Sequence, residues 1–213
     1  MNHPTVPPPI GSMSAAGMRV NLTTAFVDLC DFTGFTAAHG DEAALAELQE
    51  LRGLLREVAP LFGLRVDKWL GDGAMMTGFH VEQVVAATVA LVEQHRRRGE
   101  LPMRIGLAAG PVLLLEGDDY TGAAINLAAR LCDVAAPGEI LASAENLKVP
   151  EGVLIEKEDT IPVRGFADEV PIVNLVADPE VLDNHSPGAM LLDVLLRPVR
   201  SLRHGLQVKS PDA

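Results

Sequence analysis

The stretch from Leu64 to Met76 constrains this chain most. Leu64, Val66, Lys68 and Leu70 alternate with Arg65, Asp67 and Trp69, and Gly71-Asp72-Gly73 follows. A period of two marks a strand. Glycines on both sides of an aspartate supply the positive φ of a tight reversal. The stretch therefore reads as a hairpin, which commits its surroundings to antiparallel pairing. In this reading Lys68 stands on the Leu64/Val66/Leu70 face. A lysine on an otherwise apolar face calls for an acidic partner, a ligand, or a sheet edge along which its stem can lie.

The rest of the chain fills in around the hairpin. Leu22 to Leu29 reads as a strand, rich in β-branched and apolar residues. Cys30 to Thr36 is turn-like. Leu45, Leu48, Leu51, Leu54, Leu55 and Val58 recur at helical steps, with Asp41 as N-cap and Pro60 as stop. Val81 to Arg98 is a second helix closed by Gly99. Met103 to Ala109 and Val112 to Leu115 are strands on either side of Gly110-Pro111. Glu116 to Thr121 is a polar loop, and Gly122 to Val134 a third helix, closed by Pro137-Gly138. Ile140 to Ala142, Val153 to Ile155 and Val170 to Val176 are further strands. This mixture implies an α+β fold with helices packed on a mainly antiparallel sheet. Residues 1–19 hold four prolines and no periodic pattern, and read as a flexible tail. A domain follows over 20–178. Residues 179–213 form an extension with a basic amphipathic segment carrying Arg197, Arg200, Arg203, His204 and Lys209.

Composition narrows the functions open to such a domain. At 213 residues and 48% hydrophobic it can bury one core of ordinary size. A net charge of −12 argues against a nucleic-acid partner, which usually meets a basic face. Nucleotides stay open, because metal ions can carry the charge of a triphosphate. Cys30 and Cys132 match no zinc spacing. No run approaches the about 20 apolar residues of a membrane-spanning helix, and no basic-then-apolar leader opens the chain. The expected setting is reducing and cytoplasmic.

Asp28 ends the apolar run Phe26-Val27-Asp28-Leu29, and Asp72 sits in the glycine-flanked turn. Two carboxylates at neighbouring strand ends can converge on hard cations, which want oxygen ligands. Each alone is an ordinary loop residue. Asn126 and Arg130, four apart on a helix, share one face. By themselves they are more often solvated surface.

Together these segments resemble the class III adenylate and guanylate cyclases. Phe26-Val27-Asp28-Leu29-Cys30-Asp31-Phe32-Thr33 is similar to the first metal-binding motif of that family, and Lys68-Trp69-Leu70-Gly71-Asp72-Gly73 to the second. Met103 to Val112 resembles its arginine-bearing strand and turn. Gly122 to Leu131 resembles its glycine-x-x-x-asparagine-x-alanine-x-arginine-leucine helix. Pro137 to Ser143 and Val163-Arg164-Gly165-Phe166 resemble later landmarks. The match covers about residues 22–176, in order.

The resemblance implies a ferredoxin-like core and assigns roles by position. Asp28, Asp72 and the carbonyl of Leu29 would hold two Mg2+ or Mn2+ per active site. Lys68 and Asp119 would read adenine. Arg104 would contact the terminal phosphates, and the backbone amides of Phe32, Thr33, Gly34 and Phe35, at the start of the first helix, would cradle the triphosphate. Asn126 would position the ribose, and Arg130 would stabilise the transition state. ATP is implied over GTP, because guanylate cyclases typically carry glutamate at the lysine position and a small residue at the aspartate position. The reaction is cyclisation to cyclic AMP with release of pyrophosphate, and no side chain presents itself as a general base. The family geometry also implies a homodimer with both active sites at its interface. Two residues depart from the pattern: Asp31 where glycine is usual, and Phe166 where many members carry lysine. The competing expectations are a nucleotide-binding regulatory module without activity, a guanylate cyclase, and an α+β domain with coincidental motifs.

Overall fold

The computed structural model describes residues 18–115 and 119–180. Residues 1–17 of the expected tail, the basic segment of the extension and the tip of the polar loop lie outside them. The first strand, β1 (Met18–Leu29), starts four residues before the expected Leu22. It is followed by α1 (Phe32–His39), α2 (Asp41–Val58), β2 (Arg65–Leu70), β3 (Gly73–Gly78), α3 (Val81–Arg98), β4 (Met103–Leu114), β5 (Tyr120–Thr121), α4 (Ala123–Val134), β6 (Ile140–Ser143), β7 (Val153–Ile161) and β8 (Val170–Ala177). One eight-stranded sheet has the order β2-β3-β1-β4-β6-β8-β7, with β5 on β4. Only β4 and β6 run parallel among the pairs of this sheet.

The sheet is covered on both faces, and β1 sorts its residues between them. Ala25, Val27 and Leu29 join the main core with Leu51, Leu55, Val85 and Val89 from α2 and α3. Phe26 packs on the opposite side, where α4 contributes Leu127, Ala128 and Leu131. Alternation thus delivers Asp28 to the α4 side, together with Phe26. Gly106 lets α4 lie against β4. A Cβ there would run into the carbonyl oxygen of Ala128 and the amide nitrogen of Cys132.

Several expectations change on contact with the fold. Gly110-Pro111 does not break β4: Pro111 pairs with Asn21 of β1 and lies between the stretches of β4 that pair with β6 and with β5. There the missing N–H costs no ladder bond. Cys30 to Thr36 is not all turn, because α1 begins at Phe32. Gly40, with φ +87°, caps α2, and Asp41 is its first helical residue. Val153 begins a strand that runs to Ile161 instead of ending at Ile155; this edge strand carries charges (Glu156, Lys157, Glu158, Asp159) that discourage further pairing.

The largest change concerns Lys68. Val66 pairs with Met76, but Lys68 pairs with Met75, so Asp67 is an extra residue bulging from β2. Met76 belongs to the α2/α3 core and Met75 to the opposite one. Lys68 therefore faces the α4 side, away from Val66. Trp69, paired with Ala74, takes the α2/α3 side, where Arg52 and Arg56 lie over its ring at 5.3 and 5.2 Å.

Candidate active site

The hairpin turn is fastened to the end of β1. The Leu29 amide donates to the Asp72 carbonyl at 3.3 Å, and Gly73 sits opposite Asp28. A Cβ at Gly73 would collide with the Val27 carbonyl and reach 3.2 Å from Asp28 Oδ1. Glycine at this position is what allows the Asp72 turn to close on Asp28. Burial pushes the Asp28 carboxyl above its ordinary value; the Arg104 hydrogen bond opposes this, and the Asp72 charge adds to it.

Arg104, paired across the sheet with Asp28, puts both Nε (3.0 Å) and one terminal nitrogen (2.6 Å) on Asp28 Oδ2. Its other terminal nitrogen donates to the Asp133 carbonyl at 3.0 Å, and the Asp133 carboxylate accepts from Arg130 at 3.0 Å. One polar chain thus runs from β1 through β4 to the last turn of α4. Asp133 did not emerge from the sequence; the signal available was its place three residues after Arg130 on one helix face.

Asn126 and Arg130 do share a face of α4. With Asp28, Leu70, Gly73 and Asp133 they line a cavity of about 360 Å3 between α4, β1 and the hairpin. Cys132 lies at its wall as a buried thiol, pushed by burial up to about 12 and so held in the neutral form.

Lys68 and Asp119 meet away from that lining, Nζ to Oδ1 at 2.6 Å and both half-exposed. The Tyr120 amide donates to the same Asp119 oxygen at 2.7 Å. Lys68 first, then this amide, hold the Asp119 carboxyl below its usual range.

Phe32, Thr33, Gly34 and Phe35 form the first turn of α1, and the Phe35 amide donates to the Asp31 carbonyl at 2.9 Å. Asp31 has φ +55°, the left-handed region where glycine is at ease and aspartate tolerated. That backbone explains why glycine is usual here. The Asp31 carboxylate lies over Gly34, against the space a Cβ there would need. Phe166 packs with the α4-side core instead of presenting a charge.

Comparison with known proteins bears on the fold. No protein-family model matches the chain. It superposes on the adenylyl cyclase CyaB from P. aeruginosa with a TM-score of 0.60 and 26% identity, covering 76% of this chain and 96% of that one. The guanylyl cyclase Cya2 gives 0.69 with 24% identity, covering 81% and 99%. By fold, the chain matches the catalytic domains of class III nucleotide cyclases. An uncharacterised protein of Mycobacterium tuberculosis (strain H37Rv) is 35% identical to this chain over 185 residues, 86% of its length. The chain spans about half the length of that relative, 48%. No helix among the described residues is long and apolar enough to cross a membrane.

The oxygen donors at the end of β1 fit the divalent ions that class III cyclases use. Asp28, Asp72 and the Leu29 carbonyl would offer hard oxygen donors. Gly73 spares Asp28 Oδ1 a Cβ that would stand 3.2 Å from it, and Arg104 supplies on Asp28 Oδ2 a positive charge of the kind a metal would bring.

Proposed function

We propose that this cyclase domain is a homodimeric adenylate cyclase. The Lys68–Asp119 pair carries the reading. Adenine presents an acceptor at N1 beside a donor at its exocyclic amine, so an ammonium and a carboxylate held side by side match that edge. Guanine reverses both groups and would leave the pair unsatisfied.

The substrate would lie with its triphosphate at the β1 end. Asp28, Asp72 and Leu29 would hold the two Mg2+ or Mn2+, which when bound acidify the ribose 3′ hydroxyl and neutralise phosphate charge. Asn126 orients the ribose so that its 3′ oxygen stands in line with the α-phosphorus. A bond forms between them as the bond to pyrophosphate breaks, and the hydroxyl proton passes to solvent or to a phosphate oxygen. Arg130 stabilises the charge that spreads over the α-phosphoryl oxygens. The amides of Phe32, Thr33 and Gly34, with Arg104, would receive the leaving phosphates, whereas the Phe35 amide, also expected to do so, is taken by the Asp31 carbonyl; Arg104 must give up part of its hold on Asp28.

Two features support sites shared between protomers. Lys68 and Asp119 are not among the residues lining the cavity that holds Asp28, and Arg130 is engaged by Asp133 of its own helix. In a head-to-tail dimer the carboxylates of one chain would meet the purine pair, Asn126 and Arg130 of the other.

Purified protein supplied with ATP and Mn2+ or Mg2+ should release cyclic AMP, and Asp72→Ala should lower the rate by about 100-fold or more. Mixing inactive Asp72→Ala with inactive Arg130→Ala should recover roughly a quarter of wild-type activity, since half the dimers carry one intact site of two. No recovery on mixing would refute shared sites; no cyclic AMP from wild type would refute the enzyme.

A further inference from the structure

We propose that Asp67 is a positioning residue for base selectivity: it pins the bulge that turns Lys68 toward Asp119. The inference rests on the adenine reading of that pair. In a regular strand Lys68 would share a face with Val66 and point into the α2/α3 side, out of reach of Asp119. The extra residue at Asp67 moves it to the other face.

A bulge interrupts its ladder, so something must hold it. The Asp67 side chain is 2% exposed and supplies that hold. Its Oδ2 accepts from Thr77 Oγ1 of the neighbouring strand at 2.7 Å. Its Oδ1 accepts from Arg65 Nε at 2.5 Å. Arg65 in turn donates to the Tyr120 hydroxyl at 3.1 Å and lies 5.7 Å from the centre of that ring. Tyr120 is the residue whose amide holds Asp119 Oδ1. A continuous path therefore joins the bulge that orients Lys68 to the backbone that orients Asp119. Both halves of the purine pair are set by one buried carboxylate that need not touch the base.

The path predicts what each replacement does. Asp67→Ala removes both acceptors and frees β2 to slip toward a regular register. Asp67→Asn keeps an acceptor for Arg65, and its amide can donate to Thr77, whose hydroxyl can accept in turn. Tyr120→Phe keeps the ring and severs only the link to Arg65.

The test measures kcat/KM for ATP and for GTP in wild type, Asp67→Ala, Asp67→Asn and Tyr120→Phe, beside the emission of Trp69, the chain's single tryptophan. Trp69 follows Lys68 in β2, so a slip that turns Lys68 over also carries Trp69 out from beneath Arg52 and Arg56. The expected result for Asp67→Ala is an ATP-to-GTP ratio about tenfold lower, mostly through KM for ATP, with a shifted Trp69 emission. Asp67→Asn should stay within about threefold of wild type in ratio and keep its emission, and Tyr120→Phe should fall between. An Asp67→Ala ratio within twofold of wild type overturns the inference, as does an equal loss in Ala and Asn variants. A wild-type ratio near one refutes the adenine reading instead. The emission then decides the bulge alone: a shift in Asp67→Ala reversed in Asp67→Asn supports the pin, and no shift overturns it.

Discussion

Replacing Gly106 by alanine should damage this domain more than any other single methyl added along β4. The Cβ would fall on the Ala128 carbonyl oxygen and the Cys132 amide nitrogen, closer to each than any ordinary contact. Both obstacles are backbone, so no side chain can rotate away. Heavy atoms in contact settle at about 3.5 Å, so α4 would have to lift off β4 by more than about an ångström. Overpacking of this kind typically costs about 1–3 kcal/mol; with two rigid backbone obstacles on α4 the cost should be about 3 kcal/mol. For a domain of this size each kcal/mol is worth about 2–4 °C, so the melting temperature should fall by about 6–12 °C. Gly110 is the control on the same strand. A Cβ there would meet only the Ala124 Cβ, at 3.2 Å, a neighbour that can yield by a few tenths of an ångström. Gly110→Ala should cost under about 1 kcal/mol. Circular dichroism melts of the two variants beside wild type make the comparison. A Gly106→Ala melt within 2 °C of wild type, or equal to that of Gly110→Ala, would refute the claim that α4 is seated on this glycine.

Two further predictions concern charge at the β1 end. The folded-state pKa of Asp28 lies above its ordinary 3.8, so the fold gains stability from this group below about pH 3.8 and loses it as pH rises through the raised value. Arg104→Met should move that upper edge higher and steepen the loss of melting temperature between pH 4 and pH 7; a pH profile parallel to wild type would count against the pairing. Asp31→Gly should relieve a strained φ and remove a carboxylate from beside the first turn of α1, so the KM for ATP should fall by about fivefold, roughly 1 kcal/mol. An unchanged or higher KM would show that Asp31 does not oppose the phosphates.

What could be read from the sequence was whatever depends on local pattern. The hairpin at Gly71-Asp72-Gly73, the helices over 81–98 and 123–134, and the α+β class all follow from periodicity and turn chemistry over a few residues. What escaped depends on two segments meeting. Pro111 seemed to break a strand because proline lacks a donor; whether that donor is needed depends on which neighbour β4 has at that point. Asp133 is one acidic helix residue among several until Arg104 arrives from the sheet beneath it.

Lys68 shows how such a limit bears on function. Alternation read straight through residues 64–70 assigned the lysine to the wrong face, because a period of two holds only while each residue faces one partner. The added residue is invisible in the one-dimensional pattern, since Asp67 is as plausible in a regular strand as in a bulge. It becomes visible only when Thr77 and Arg65 are both found on its carboxylate. The residue that broke the rule is also the one that delivers Lys68 to Asp119, so a failure of strict alternation beside a suspected binding residue is itself a reason to look for the side chain that enforces it.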